Sequence, residues 1–390
     1  MNLPFRITHR RLAALVALLL CLPPTTAFPA ADKATSEIGG FEIPKPGRKF
    51  TFPRDHGSHP EFSIEWWYLT GHLRTQAGGP FGFQATFFRR STSPSHSSTN
   101  APRSAAFGHQ QLFLAHMAFV DVSAQRFYHQ ERLNREGWDA YATTNTLDVR
   151  NGNWTLHLSD HGATPTLLLR GSCFAEIAFE LSLHPLKPLV AFGTNGVSRK
   201  AAEPSAASHY LTFPRLRAQG TVAIRGAQSA VTGEAWMDHE FSSSQLGEGQ
   251  VGWDWASIQL QDGRELMAYR MRRNDGTTDP FSTLAWIQPS GEIQHLNANQ
   301  FSWEVLSRWK SPTSGAEYPS RLRLNTVDPA SGKPFSVVLQ PLVLDQELRG
   351  DIGGIAYWEG ACRVENTSGQ PIGNAYLELT GYAGTLKGKF

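Results

Sequence analysis

The chain has 390 residues, enough for two domains of typical size or for one large all-β unit. Its 36 Lys and Arg nearly balance its 34 Asp and Glu, so the formal net charge is only +2. No polybasic run is present, and the composition therefore supports neither nucleic-acid binding nor electrostatic capture by a membrane surface.

The first 27 residues have the layout of a secretory signal peptide. Arg6, Arg10 and Arg11 precede the apolar run 12–22, and the small residues at 25–27 suit a cleavage site. The apolar run is shorter than the roughly 20 residues that cross a bilayer, and no later run reaches that length. We therefore predict a periplasmic or secreted protein with no integral membrane segment after signal removal. Loss of three arginines leaves 33 basic against 34 acidic side chains, a net charge near −1.

The mature sequence predicts an all-β protein. Its 35 glycines and 24 prolines divide it into short segments, and almost no stretch keeps a helical apolar period. Alternation of apolar and polar residues is typical of strands that bury one face. It occurs at 154–158, 321–324 and 376–380.

Two hairpins of similar shape indicate two related halves. In the first, 66–73 leads through a glycine-rich turn into 84–90. In the second, 253–260 leads into 267–273 through Asp262-Gly263, a strong tight-turn signal.

The segments between the predicted strands suggest where the chain divides. Residues 91–106 and 195–208 are rich in small and polar residues and are predicted to be loops. We place the crossing between domains at 195–217. The predicted organisation is a signal peptide (1–27), an N-terminal domain (40–212) and a C-terminal domain (213–390).

Two cysteines, Cys173 and Cys362, remain after signal removal. An exported protein can form disulfides, so these cysteines could join the two halves or remain two buried thiols. Sequence spacing does not decide between these alternatives.

The segment 231–242, followed by Gly252-Trp253-Asp254-Trp255, concentrates acids and indoles in one long hairpin. Side chains alternate along a strand, so Trp236, Asp238 and Glu240 should share one face while Met237, His239 and Phe241 share the other. An acid beside aromatic walls has a raised pKa and can protonate a poor base. The alternative is a satisfied hydrogen-bond network that joins two packed strands.

Several short motifs follow one another in a recognisable order. They are His59-Pro60-Glu61-Phe62-Ser63-Ile64-Glu65-Trp66-Trp67-Tyr68, Ala115-His116-Met117-Ala118, Trp236-Met237-Asp238-His239-Glu240-Phe241, Gly252-Trp253-Asp254-Trp255 and Tyr357-Trp358-Glu359-Gly360. Over residues 41–382 the chain resembles the AttH/CrtC family, which comprises predicted secreted proteins related to carotenoid 1,2-hydratase. The resemblance implies two lipocalin-like antiparallel β-barrel domains packed together and a small hydrophobic, isoprenoid-like ligand.

The resemblance also implies roles for individual residues. In the hydratase branch, water adds to a terminal isoprenoid double bond, which requires a strong acid and an environment that tolerates a carbocation. Asp238 fits the acid, His239 or Glu240 could orient it or position water, and indoles could stabilise the cation. The expected ligand-binding residues are Glu65, Trp66, Trp67, Tyr68, Trp236, Trp253, Asp254 and Trp255.

Some of these candidates have a structural alternative. Glu65 and Asp254 could equally pair with arginine, and His116 lies in an apolar run that is typical of a core histidine. Asp238-His239-Glu240 lacks the histidine spacing of a helical zinc site, so we predict neither a metal nor a cofactor.

Three functions remain open from the sequence. The first is a hydro-lyase that adds water to a C=C bond with Asp238 as the proton donor. The second is a non-catalytic periplasmic carrier of a hydrophobic compound, or an accessory of an ABC-type transporter, a partner that the family resemblance suggests. The third is a glycoside hydrolase, which would use paired carboxylates in an open groove.

Overall fold

The structure is a computed structural model that describes residues 37–92, 94, 111–159, 165–350, 352 and 354–384. These residues belong to one compact unit. The predicted signal peptide and most of the predicted loop 91–106 lie outside the described residues. None of the helical structure in the described ranges is long and apolar enough to cross a membrane.

The all-β prediction is confirmed. A short 3-10 helix at Arg54–His56 accompanies the strands, all of which pair antiparallel within two large sheets and one small ribbon. The ribbon consists of β1 (Glu37–Ile38) and β2 (Phe41–Glu42).

The first sheet has thirteen strands. They are β3 (Ile64–Thr75), β4 (Pro80–Ser91), β5 (Gln111–Asp121), β6 (Arg126–Arg135), β7 (Ala140–Ala142), β8 (Asp148–Asn151), β9 (Trp154–Ser159), β10 (Thr166–Cys173), β11 (Ile177–Pro185), β12 (Val190–Phe192), β13 (Ser198–Arg199), β14 (Ala207–Ile224) and β15 (Ala227–Ser244). Their order is β6-β5-β4-β3-β15-β14-β11-β10-β9-β8-β7, with β12 and β13 beside β14.

The first sheet curls into a nearly closed, lipocalin-like barrel. Its two ends approach each other where the Asn134 amide of β6 donates to Asn151 Oδ1 of β8 at 2.6 Å. The Asn151 amide in turn donates to the Phe113 carbonyl of β5 at 3.0 Å. Side-chain hydrogen bonds therefore join strands that do not pair through their backbones.

The second sheet has ten strands. They are β16 (Gln250–Leu260), β17 (Glu265–Arg273), β18 (Thr283–Ile287), β19 (Ile293–Asn297), β20 (Ser302–Lys310), β21 (Glu317–Val327), β22 (Pro334–Pro341), β23 (Glu347–Arg349), β24 (Ala356–Glu365) and β25 (Pro371–Leu379). Their order is β19-β18-β17-β16-β25-β24-β22-β21-β20, with β23 beside β24.

Both predicted hairpins form. β3 pairs with β4, and β16 pairs with β17 in the same antiparallel manner. At the tight turn of the second hairpin, Gly263 has a φ of 83° and its N–H donates to the Leu260 carbonyl at 3.2 Å. Glycine suits this turn because it adopts a positive φ without a steric penalty.

The change from one sheet to the other comes later than the sequence analysis places it. The boundary predicted at 212/213 falls inside β14, and the sheets change between Ser244 and Gln250. The predicted crossing at 195–217 includes Pro214. This proline lies instead at a shift in strand register between Phe213 and Leu216, where a β-bulge removes the need for a backbone N–H.

Apolar side chains form three main clusters. One fills the interior of the first sheet around Phe83, Trp154 and Phe179, and another fills the second sheet around Trp286 and Leu339. The third cluster joins residues of both sheets and is rich in aromatic side chains. This third cluster surrounds the candidate site.

Cys173 and Cys362 are free thiols. Both are fully buried, and burial raises the pKa of the Cys173 thiol to about 12. Of the two alternatives for these cysteines, the structure shows the buried thiols.

Candidate active site between the two sheets

A cavity opens where the two sheets face each other. Together with its open mouth, the space between the walls measures about 970 Å³. Its walls come from β3, β4, β5, β14 and β15 of the first sheet and from β16, β17, β24 and β25 of the second. The lining residues are Trp66, Tyr68, Thr86, Phe88, Leu114, His116, Lys200, Tyr210, Asp238, Glu240, Gln245, Trp253, Trp255, Tyr269, Met271, Ile355, Tyr357, Glu359, Glu378 and Thr380.

Asp238 is the best-defined acid of the cavity. It is 2% exposed, and three donors hold its carboxyl group in one orientation. Thr212 Oγ1 and Trp236 Nε1 donate to Oδ1 at 2.6 and 2.7 Å. Tyr210 Oη bonds to Oδ2 at 2.7 Å and itself accepts a hydrogen bond from Trp255 Nε1 at 3.0 Å.

Burial decides the protonation of Asp238. Desolvation raises its pKa to about 7, with help from the nearby Glu240 charge and against the three hydrogen bonds. Because Oδ1 already accepts two hydrogen bonds, we assign the proton to Oδ2, next to the Tyr210 hydroxyl. Asp238 can therefore hold a proton at neutral pH and release it towards the cavity.

Glu240 and Lys200 form a buried ion pair at the same wall, 3.2 Å apart. Lys200 also lies over the rings of Tyr210 and Tyr269, 4.7 and 4.3 Å from their centroids. Burial raises the pKa of Glu240, while Lys200 and the Ser208 hydroxyl lower it. The pair adds little net charge to the cavity, since each member balances the other.

Aromatic residues form much of the remaining wall. Tyr68 and Trp255 meet edge to face with ring centroids 5.2 Å apart, and Trp66, Phe88 and Trp253 line the cavity beside them. Trp236 packs against Trp255 and donates to Asp238, but it is not among the lining residues. It positions the acid rather than contacting the cavity.

Three predicted site residues lie on the opposite face of the first sheet. His239 points away from Asp238, as the strand period of two requires, and its Nε2 is 2.9 Å from Glu65 Oε1. Trp67 stacks on the His239 ring at 4.9 Å. Glu65 accepts from Arg89 Nε at 2.9 Å. These residues form a buried network outside the cavity.

Asp254 also lies away from the cavity. It is fully buried between Arg270 and Arg272, with Arg272 Nε at 3.0 Å, and it accepts from Tyr382 Oη at 3.0 Å. Glu65 and Asp254 thus both make the arginine pairs given above as their structural alternative.

His59, Glu65 and His239 are close enough to be considered as metal ligands. His59 Nδ1 and His239 Nε2 lie 2.8 and 2.9 Å from Glu65 Oε1, which is hydrogen-bond geometry. The Arg89 guanidinium pairs with the same carboxylate. Burial alone would raise the pKa of Glu65, but Arg89 and the two histidines hold it well below its usual range. The contacts describe an ionic hydrogen-bond network rather than a cation site.

The second sheet contributes site residues that the sequence analysis did not select. Glu359 and Glu378 face the cavity from β24 and β25, and Tyr357 lies beside them. His116 also lines the cavity, with Nδ1 2.7 Å from Tyr357 Oη, so it is more than a core histidine. The motif Tyr357-Trp358-Glu359 repeats the acid and aromatic alternation of Trp236-Met237-Asp238 and could have indicated Glu359.

The fold and the cavity define a class of protein: an antiparallel β protein that holds a small-molecule site with buried acids between two sheets. The chain belongs to the AttH-like family, whose model matches residues 43–382. No curated protein matches the sequence.

Two solved structures are similar over most of the chain. A candidate AttH from Nitrosomonas europaea is 35% identical, with a TM-score of 0.76, and the match covers 87% of this chain and 98% of that one. Kievitone hydratase from Nectria haematococca shares the fold at 15% identity and a TM-score of 0.62, covering 88% of this chain and 98% of its own.

Proposed function

We propose that this protein adds water to a C=C bond of a small, isoprenoid-like ligand held between its two sheets, with Asp238 as the proton donor. The observation that carries the proposal is the buried Asp238 carboxyl, which burial brings to a pKa of about 7 at the wall of an aromatic cavity. One structural neighbour is a hydratase by name, but the proposal depends on Asp238 and its surroundings.

The proposed reaction begins with proton transfer from Asp238 to one alkene carbon. General acid catalysis of this kind contributes about 10²–10⁴-fold in rate when the acid has a pKa near the working pH. The positive charge that develops on the other carbon is stabilised by the π faces of Trp253 and Trp255. Water then adds to that carbon and loses a proton.

The aromatic composition of the walls also limits the ligand. The cavity offers indole and phenol rings to an apolar chain, and its mouth lets a long ligand extend outwards while its end is enclosed. An acyclic terpenoid that reacts at its terminal double bond fits this arrangement. The open groove expected of a glycoside hydrolase differs from this partly enclosed space.

The test is to incubate the purified protein with lycopene in detergent micelles and to measure a gain of one water by mass spectrometry. Asp238→Asn should reduce turnover at least about a hundredfold, because asparagine keeps an oxygen that accepts from Thr212 and Trp236 but donates no proton to the alkene. Ligand binding, followed by tryptophan fluorescence, should change by no more than roughly threefold. Asp275→Asn, in an exposed turn, is the matched control.

The cavity itself also supports a second function, the binding of an apolar ligand without catalysis. If wild type and Asp238→Asn bind the apolar ligand equally and neither yields product, the protein is a non-catalytic carrier. An ABC-type transporter would then be its proposed partner. Co-purification of a transporter subunit with the tagged protein from its native host would support that partnership, and its repeated absence after cross-linking would argue against it.

We also propose a periplasmic or secreted location, for which the layout of residues 1–27 is the support. Fractionation of cells that express the full chain should recover a shortened protein outside the cytoplasm. A variant that lacks residues 1–27 should stay in the cytoplasm. Recovery of both proteins from the same fraction would contradict this location.

A further inference from the structure

Glu359 and Glu378 form a carboxyl pair on the wall that the second sheet contributes to the cavity. They are directly opposite each other in the register of β24 and β25, so their side chains share one face. Cβ atoms in such a cross-strand pair are roughly 4.5–5.5 Å apart, and like charges there are destabilising. Two acids in this position need an explanation beyond packing.

Polar atoms at this wall are weakly partnered: Tyr68 and Tyr357 interact with the Glu359 carboxyl group and lower its pKa against the effect of burial, but without normal hydrogen-bond geometry. Neither carboxyl oxygen of Glu359 makes a hydrogen bond of normal geometry to the described part of the chain, and the same holds for the Tyr68 hydroxyl. Glu359 is 1% exposed and Tyr68 is 7% exposed. Both line the cavity, and buried polar atoms without a well-formed hydrogen bond are costly unless a bound polar molecule satisfies them.

The two carboxyls differ in their surroundings. Glu378 Oε2 accepts a hydrogen bond from Trp253 Nε1 at 2.9 Å, which favours its ionised form. Glu378 keeps accessible surface towards the cavity, whereas Glu359 is enclosed. Burial raises the pKa of both groups, that of Glu378 to about 7 and that of Glu359 well above its usual range. Glu378 therefore ionises first while Glu359 keeps its proton.

Other titratable groups face the pair from every wall. Tyr68 stands opposite Asp238 in strand register, and burial and the Glu359 carboxyl group raise the pKa of its hydroxyl, so the pair and Asp238 belong to one site. The remaining neighbours of the pair are Tyr357, Tyr376, Glu240 and Lys200.

We propose that Glu359 and Glu378 form the water and hydroxyl site of the cavity, in which Glu378 accepts the proton that the attacking water loses. This inference deepens the proposed hydration and rests on it for its catalytic part. The alkene π electrons form a C–H bond with the proton of Asp238, and a water lone pair then forms the C–O bond. The water O–H bond breaks, and its proton passes to the Glu378 carboxylate. Asp238 and Glu378 recover their starting states by exchange with solvent through the open mouth.

The hydroxyl site can be tested without turnover. Asp238→Asn serves as the background, and the ligands are the saturated alcohol tetrahydromyrcenol and its parent alkane, dimethyloctane. Affinities are measured by tryptophan fluorescence. Adding E359Q and E378Q should lower the alcohol-to-alkane affinity ratio about tenfold, because a hydrogen bond to a charged group is lost. Adding E304Q, at an exposed ion pair with Arg323, should leave the ratio unchanged.

The pH dependence identifies the group responsible. In the Asp238→Asn background, the affinity ratio should rise as the pH rises through about 7, because Glu378 ionises there. With both glutamines present, the ratio should not depend on pH. If the double substitution prevents folding, E378Q alone must lower the ratio. An unchanged ratio in the folded variants would overturn the hydroxyl site.

Isotope exchange tests the catalytic part. In D₂O, E359Q/E378Q with Asp238 intact should still exchange deuterium into the alkene substrate, while hydration falls at least about a hundredfold. Hydration at the wild-type rate would overturn the role of Glu378. If wild type catalyses neither exchange nor hydration, the proposed hydration is refuted. The affinity ratios would still decide whether the hydroxyl site exists.

Discussion

At the scale of single residues, the alternation of a strand decides which acids can meet a ligand. Asp238 and Glu240 line the cavity, while His239 between them lies on the other face. The period of two already predicted this separation from the sequence, whereas the family resemblance implied that His239 could orient Asp238 or position water. The alternation at 376–380 predicts that Glu378 lies on the polar face of its strand, but nothing local shows that this face meets a cavity rather than solvent.

The raised pKa of Asp238 predicts a change in stability with pH. The folded-state pKa of about 7 exceeds the ordinary 3.8, a difference that corresponds to roughly 4 kcal/mol. The stability that protonated Asp238 contributes to the folded state is therefore complete below pH 3.8 and is lost as the pH rises to about 7. Asp238→Asn removes this loss, so its free energy of unfolding should rise relative to wild type by roughly 2–3 kcal/mol between about pH 5 and pH 8.

Urea unfolding at both pH values measures this difference. Comparison with wild type cancels the contributions of His56, His72 and His209. Burial lowers the pKa values of these histidines, so they reduce stability in acid, and this reduction disappears as the pH rises. A wild-type to Asp238→Asn difference that is the same at both pH values would show that Asp238 titrates normally.

At the scale of strands, local signals predicted the hairpins but not the length of β14 and β15. The Asp262-Gly263 turn and the alternation at 321–324 are local features, and the structure has both the turn and the alternating burial of Leu322 and Leu324. The local sequence predicts that a strand ends at Pro214. The bulge that accommodates this proline depends on pairing with the neighbouring strand β15, which the local sequence does not show. Long-range pairing thus extends a strand that local composition would end.

Close approach of β15 to β3 makes Gly233 a sensitive position in the first sheet. A Cβ there would lie 1.9 Å from the His72 carbonyl oxygen, so the two strand backbones would have to separate. Gly233→Ala should reduce the free energy of unfolding by about 1–3 kcal/mol, as overpacking in a core does. Gly137→Ala is the matched control, since its nearest atom would be 3.9 Å away. Equal urea midpoints for the two variants would contradict the close approach.

At the scale of the whole molecule, the candidate site exists because two sheets meet. Asp238 comes from the first sheet and Glu359 from the second, and a sequence pattern does not show that they share a cavity. The family resemblance predicted two packed β units, while the position of the site between them came only from the structure. Contacts that hold the sheets together are therefore also contacts that assemble the site.

Glu265 of β17 makes one such contact, because it pairs with two cations that precede the second sheet in the chain. Lys187 Nζ and Arg215 Nε contact its two carboxyl oxygens, with Arg215 at 2.7 Å, and Glu265 is fully buried. Desolvation raises the pKa of Glu265, although both cations lower it. Burial therefore opposes part of the attraction between Glu265 and its two cations, while Arg215 gains from the same contact and has a raised pKa.

A set of substitutions can separate orientation from stability in this network. Arg215→Met should lower the free energy of unfolding by about 3–5 kcal/mol, because it leaves the buried Glu265 carboxylate with one cation. Replacing all three groups, in Lys187→Met/Arg215→Met/Glu265→Leu, should recover most of that loss, since apolar residues of similar volume carry no desolvation cost. Urea unfolding followed by circular dichroism measures both effects. If the triple variant is no more stable than Arg215→Met, the three charges stabilise the contact between the sheets, and the site would depend on them for its assembly as well as its orientation.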